Sequence, residues 1–247
     1  MKKLKKRLDE ILVERNITQS RTKAQAMIMA GEVYVEDKKI TKSGLNFFVN
    51  SKIIIKKFEK EWVSRGAIKL LKAINYFKID LVDKICLDLG ASTGGFTQVM
   101  LQNKAKKIYS IDVGKNQLNE KLLKEKKIVN IEKTNARYLN VELIKEEIDI
   151  LVCDVSFISL KKVIKPNLCF LKDRAKIITL VKPQFEGKRK DLNKGVIKNS
   201  NVHHRICEDI KNWIKIECNS DLLGMVESPI KGPKGNKEFF IAAEYYK

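Results

Sequence analysis

Asp88, Asp112, Asp154 and Lys182 each stand at or just beside the end of a short apolar run. The runs are Ile85 to Leu89, Lys107 to Ile111, Ile148 to Cys153 and Ala175 to Val181. Near-continuous apolar character over so few residues predicts strands buried on both faces of a parallel sheet. In open α/β sheets ligands bind outside the carboxyl ends of the strands. A carboxylate there accepts hydrogen bonds from sugar hydroxyls, and an amine donates to an oxygen or takes its proton. Side chains of both kinds on one edge predict a small-molecule site.

The first of these strands runs into Gly90-Ala91-Ser92-Thr93-Gly94-Gly95-Phe96, and Thr97, Val99, Met100 and Leu101 continue at helical spacing. The unit is strand, glycine turn, helix. Its glycines do not follow Gly-x-Gly-x-x-Gly, and no Gly-Lys-Ser/Thr is present, so a pyrophosphate cradle is not expected. Asp112, closing the second strand, is placed to hold both hydroxyls of a ribose. Ribose recognition without a phosphate cradle points to S-adenosylmethionine.

The elements that must position these groups alternate along the chain. Ala67, Leu70, Leu71, Ile74 and Phe77 stripe a helix before the first strand. Helices are expected over 116–126 and 163–171, the latter with Pro166 in its first turn, and over about 201–216. Ile128 to Ile131 reads as a further strand, with Asn135-Ala136-Arg137 a turn after it. Leu222 to Glu227 and Phe239 to Tyr245 close the chain as a strand pair. Right-handed crossovers then predict a doubly wound sheet. A long basic loop, Gln184 to Gly195, lies beside the expected site.

The 247 residues carry 50 Lys+Arg against 30 Asp+Glu, a formal net charge of +20. Such a field favours a polyanionic partner, nucleic acid first and anionic membrane second. No run approaches the roughly 18–20 apolar residues of a spanning helix, and the basic N-terminus leads into no signal-peptide core. The five cysteines are never spaced Cys-x-x-Cys, and the only histidines are His203 and His204. Buried thiols in the cytoplasm are expected, and a metal is not.

The first sixty residues read as a separate module. Leu8, Ile11 and Leu12 stripe one short helix, and Ala24, Met27 and Ile28 a second that ends at Gly31. Short strands follow at Val33 to Val35, Ile40 and Lys52 to Ile55, and Arg7, Arg15, Arg21 and Lys23 can form one basic face. Arg7-Leu8-Asp9, Ser20-Arg21-x-x-Ala24 and Gly31-x-Val33-x-Val35 resemble the ribosomal-protein S4 type of RNA-binding domain. Phosphate and shape contacts dominate recognition of folded RNA, which suits such a basic face. Glu36-Asp37-Lys38 replaces the Asn-Gly usual at its hairpin turn.

The whole chain resembles the TlyA family, and its larger part the FtsJ-type 2′-O-methyltransferases. The marks are Val63-Ser64-Arg65-Gly66-Ala67-x-Lys69-Leu70, the segment Asp88 to Thr97, Cys153-Asp154-Val155-Ser156-Phe157-Ile158-Ser159-Leu160 and Val181-Lys182-Pro183-Gln184-Phe185-Glu186. The resemblance implies a Rossmann-like methyltransferase domain over 67–247, a linker over 61–66 and a small α+β RNA-binding domain over 1–60. It implies 2′-O-methylation of ribosomal RNA with S-adenosylmethionine, acting on free RNA or ribosomal subunits. The catalytic tetrad falls on Lys69, Asp154, Lys182 and Glu238, with Asp154 and Glu238 holding Lys182. Cofactor contacts fall on Asp88, Gly90, Ala91, Ser92, Thr93, Gly94, Gly95, Phe96, Asp112, Asn135 and Asp154. Further RNA contacts are expected from Arg65, Lys188 and Arg189. A membrane-active haemolysin-like protein and a non-catalytic RNA-binding ribosome factor are the alternatives.

Overall fold

The computed structural model describes residues 4–55 and 62–247. The chain divides into two compact units, Met1–Glu61 and Trp62–Lys247. The expected linker thus begins at Glu61, which lies outside the described residues, as do residues 56–60 of the expected first domain.

In the first unit β1 (Lys5–Arg7) leads into α1 (Leu8–Glu14), and α2 (Arg21–Ala30) follows. Ser20 caps α2 by accepting from the Lys23 N–H, and Gly31 ends it in the left-handed region at φ 75°. Then come β2 (Val33–Val35), β3 (Lys38–Lys39), β4 (Asn46–Phe48) and β5 (Ile53–Ile55). β2 pairs antiparallel with β3 and β5, and β1 with β4. Leu8, Leu12, Ala24, Ile28, Val33 and Val35 form the core, so the helical stripes read from the sequence are the faces buried. The β2–β3 turn is Glu36-Asp37, with φ of 47° and 63°. Those values match a hairpin turn that twists with its strands, at some strain for a glutamate. The Glu36 carboxylate offsets it by accepting the Lys52 N–H at 2.9 Å.

The second unit opens with α3 (Gly66–Phe77), β6 (Ile85–Leu89), α4 (Gly95–Gln102), β7 (Lys107–Ile111), α5 (Glu120–Leu123) and β8 (Ile128–Ile131). It continues with β9 (Ile148–Cys153), α6 (Lys161–Asn167), β10 (Leu171–Val181), α7 (Pro183–Glu186), α8 (Ser200–Glu217), β11 (Ser220–Glu227) and β12 (Phe239–Tyr245). The sheet order is β11-β12-β10-β9-β6-β7-β8. β12 alone runs antiparallel to its neighbours, and β8, β7, β6, β9 and β10 are mutually parallel. Strand side chains alternate between two cores. Leu87, Leu89, Leu151 and Cys153 meet α6 and α8 through Val163, Ile164, Ile206 and Ile210. Cys86, Ile150 and Val152 meet α3 and α4 through Leu70, Ile74, Val99 and Met100.

Several elements differ from the sequence reading. The helix expected over 116–126 shrinks to the single turn α5, because the Glu132 carboxylate draws the Asn116 and Gln117 N–H groups into a loop. The helix expected over 163–171 starts two residues earlier, and Pro166 sits near its end instead of in its first turn. Lacking an N–H, proline ends the regular helix there, and a 3₁₀ turn at Leu168–Phe170 replaces the remainder. β10 begins at Leu171 because that residue pairs with Ile148 across a bulge.

Candidate active site

Sheet order reverses between β6 and β9, whose register aligns Leu89 with Cys153. The Asp154 N–H donates to the Leu89 carbonyl at 3.0 Å, so the Gly90 turn and Asp154 leave the sheet side by side. This crevice opens into a cavity of about 610 Å³, within the range of small-molecule sites. Gly90 has φ 88°, and a Cβ on it would stand 2.6 Å from the Asp154 carbonyl oxygen. Gly94, at φ 92°, starts α4 with no room for a Cβ against Leu122. Ala91, Ser92, Thr93, Gly95 and Phe96 line the cavity with Gly90; Gly94 is not among the lining residues.

Asp88, Asp112 and Asn135 do not line the cavity. Asp88 is fully buried and accepts from the Thr97 hydroxyl at 2.7 Å, which ties β6 to α4 behind the turn. Its expected contact with the cofactor is therefore corrected to support of the turn. Asp112 accepts from the Ser92 N–H through one oxygen and from the Gly114 N–H through the other, both at 2.8 Å. Asn135 accepts from the Arg137 N–H at 3.1 Å and caps a 3₁₀ turn.

Burial raises the Asp88 carboxyl to about 7, against the Thr97 hydrogen bond and with help from the negative Asp154 and Asp112. Its folded value lies above that of the unfolded chain, so the stabilisation it gives is complete at low pH and is lost as pH rises from about 4 to about 7. Asp88→Asn should flatten that part of the stability profile, read from denaturant midpoints at pH 5 and pH 8. A wild-type slope in the variant would show that Asp88 does not titrate on unfolding.

The expected tetrad assembles as two ion pairs. Lys182 Nζ stands 2.5 Å from Asp154 Oδ1 and donates to Ser156 Oγ at 2.8 Å. Lys69, from the first turn of α3, reaches Glu238 Oε2 at 2.6 Å. Glu238 therefore pairs with Lys69, which corrects the expectation that it shares Lys182 with Asp154. Lys69, Asp154 and Lys182 line the cavity, while Glu238 is 1 % exposed behind them. The Oε1 atom of Glu238 has no hydrogen-bond partner among the described groups. It rests against Gly232, where a Cβ would stand 2.0 Å from it.

The sequence reading missed Ser64, Ser156, Lys231 and Lys234, all of which line the cavity. Ser64 and Ser156 lay inside quoted motifs without a role. The lysines belong to the β11–β12 connection, where alternating Lys, Gly and Pro read only as a turn. Phe157, 90 % exposed, follows Ser156 with its ring 5.0 Å from that of Phe185.

Of the expected RNA contacts, Arg65 is exposed and lines the cavity; Lys188 and Arg189 are exposed but do not line it. Their loop is not featureless: it folds into a 3₁₀ turn held by Asp191, which accepts from the Lys188 N–H and pairs with Arg205 at 2.6 Å. In the first unit Arg7 grips the buried Asp9 with two hydrogen bonds, and Arg21 and Gln25 reach the same carboxylate. These partners hold the Asp9 carboxyl far below the usual carboxylate range, with the Arg7 hydrogen bond the largest cause. Arg15 directs its guanidinium to the Ser51 and Val49 carbonyls. Its assignment to the basic face is thus corrected to a clamp between α1 and the chain after β4. Lys23 is exposed beside Gln19.

Among the described residues no helix is long and apolar enough to cross a membrane, and no three His, Cys, Asp or Glu side chains gather as a metal would require. Residues 62–245 match the FtsJ-like methyltransferase family and residues 6–46 the S4 domain. Hemolysin A of Brachyspira hyodysenteriae is 41% identical over 94% of this chain and 97% of its own. The 16S/23S rRNA (cytidine-2'-O)-methyltransferase TlyA of Mycobacterium tuberculosis is 37% identical over 95% of this chain and 88% of its own. A solved hemolysin candidate from Streptococcus thermophilus superposes with a TM-score of 0.75 at 34% identity, covering 99% of this chain and 90% of that one. With its S4 domain ahead of a doubly wound methyltransferase sheet, the chain belongs to the TlyA family.

Proposed function

We propose that this protein transfers a methyl group from S-adenosylmethionine to a ribose 2′-hydroxyl of ribosomal RNA. The observation that carries the reading is the pairing of Lys182 with Asp154 and Ser156 at the topological switch of the sheet, on a cavity that Lys69 also lines. The TlyA relative named above as a ribosomal-RNA methyltransferase supports the choice of substrate. A protein that modifies ribosomal RNA is expected in the cytoplasm.

Bound S-adenosylmethionine supplies an electrophilic methyl group; the chain does the rest. The cavity-lining residues of the Gly90 to Phe96 turn would hold the cofactor, and Asp112, which fixes the Ser92 and Gly114 backbone beside the cavity, would reach its ribose. Lys182, paired with the Asp154 carboxylate, donates a hydrogen bond to the 2′-oxygen and stabilises the negative charge that develops during attack. Lys69, anchored by Glu238, orients the hydroxyl or the neighbouring phosphate. Arg65, Lys231 and Lys234 add positive charge at the rim for the RNA backbone. The exposed ring of Phe157 offers a face on which an unstacked base can rest. Positioning of two bound reactants can contribute up to about 7–11 kcal/mol. The S4 unit supplies RNA affinity of its own.

Mapping 2′-O-methyl sites in ribosomal RNA from cells with and without the gene tests this directly. A site lost with the gene, and restored in vitro by purified protein, is expected; identical maps and no transfer in vitro would refute the reading. Leakage from anionic liposomes, compared with a charge-matched control protein, separates out a membrane-active role. For the cofactor, Asp112→Ala should weaken S-adenosylmethionine binding by about 1.5–3 kcal/mol, the scale of charge-assisted hydrogen bonds. Calorimetry giving an unchanged affinity would remove Asp112 from the cofactor site.

A further inference from the structure

Away from the proposed active site, a second, open cavity of about 590 Å³ lies where α6, α8 and the 3₁₀ turn after β8 meet. Two aromatic rings and four cations line it: Tyr138 and Trp213 with Arg137, Lys161, Lys162 and Lys165. Tyr138 is 70 % exposed, with the Arg137 guanidinium 5.1 Å from its ring centre. Lys161 Nζ lies 5.9 Å from the Trp213 ring, which packs partly into the core. Lys165 is paired with Glu217 at 2.5 Å, whereas Arg137, Lys161 and Lys162 have no described carboxylate within ion-pair distance.

An exposed ring and a half-buried one beside unpaired cations suit a polyanion that carries planar apolar groups. Bases stack on aromatic faces whatever their identity, while the cations meet the phosphates. The groove extends toward the sheet edge opposite the proposed active site, since Lys165 pairs with Glu217 at the end of α8, where the chain leads into the start of β11.

We propose that this groove binds an unstacked nucleotide of the RNA substrate, remote from the one held at Lys182, with its base on Tyr138 and its phosphates beside Arg137, Lys161 and Lys162. The inference rests on the RNA-methyltransferase reading for the identity of the strand. Nothing in the groove reads a base edge, so it contributes affinity and register.

The test uses the full chain and ribosomal subunits prepared from cells lacking the gene, with RNA affinity measured separately from methyl transfer. Tyr138→Ala is the lead variant because the ring is mostly exposed and its loss leaves the core intact. It should weaken RNA binding and raise the KM for subunits by about tenfold, within the range for losing one base–aromatic stack. The turnover number at saturating RNA and the S-adenosylmethionine affinity should stay as in the wild type. Tyr138→Phe should restore binding, because the stacking face is kept. A Lys161→Gln/Lys162→Gln variant should lower the slope of log affinity against log salt by about 1–2, one phosphate for each lysine. Wild-type RNA affinity and KM in Tyr138→Ala would overturn the proposal, leaving the groove to another partner such as an acidic protein. Should the wild-type chain bind RNA and transfer no methyl group, the catalytic reading fails, and the affinity measurements still decide the groove.

Discussion

Lys182→Ala is expected to slow single-turnover methyl transfer to ribosomal RNA by at least about 10²–10³-fold, the loss on removing one oxyanion donor. The Lys182 amine forms an ion pair with Asp154 at 2.5 Å and donates to Ser156 at 2.8 Å, and it lines the cavity where the substrate oxygen would accept from it. Cofactor affinity should be nearly unchanged, because the partner of Lys182 is the RNA hydroxyl. Lys182→Arg should recover little. A planar fork cannot replace a compact ammonium aimed at one oxygen, and the side chain is only 8 % exposed. Single-turnover rates at saturating S-adenosylmethionine are the measurement, with the thermal midpoint as control. A near-wild-type rate in the alanine variant would take Lys182 out of the chemistry.

Lys69→Met should destabilise the second unit by about 3–5 kcal/mol, the cost of leaving a buried charge without its partner. Glu238 is 1 % exposed and already has one oxygen unpartnered; without Lys69 both would be. The double variant Lys69→Met/Glu238→Gln should regain most of the loss, since removing a whole buried pair is far less costly than halving it. Catalysis should not return with it, because Lys69 faces the cavity and Glu238 does not. Denaturant midpoints of the two single variants and the double variant form the cycle. Equal stability of Lys69→Met and wild type would mean that Glu238 is compensated by another group.

Much of this arrangement was legible in local sequence. The short apolar runs specify buried parallel strands. Asp154 and Lys182 at their ends mark the ligand edge, and the Gly90 turn marks where the backbone must leave the sheet. Ser20 and Gly31 bound α2 as their capping chemistry requires. In each case the signal lies within a few residues and reflects backbone geometry or a period of burial. What the fold alone decided is which distant groups meet. Lys69 and Glu238 are 169 residues apart, and nothing near either residue says that they pair with each other instead of converging on Lys182. Arg15 looked like any basic-face residue until the chain after β4 brought the Val49 and Ser51 carbonyls to it. Asp88 is one residue from the strand end, and only the approach of Thr97 on α4 turns it into a buried brace. Lys231 and Lys234 enter the site because β12 pairs back on β10 and β11, carrying their loop over the cavity. Periodicity and turn chemistry are short-range and written residue by residue; charge pairing across the sheet depends on strand order, which long-range packing sets without a local mark.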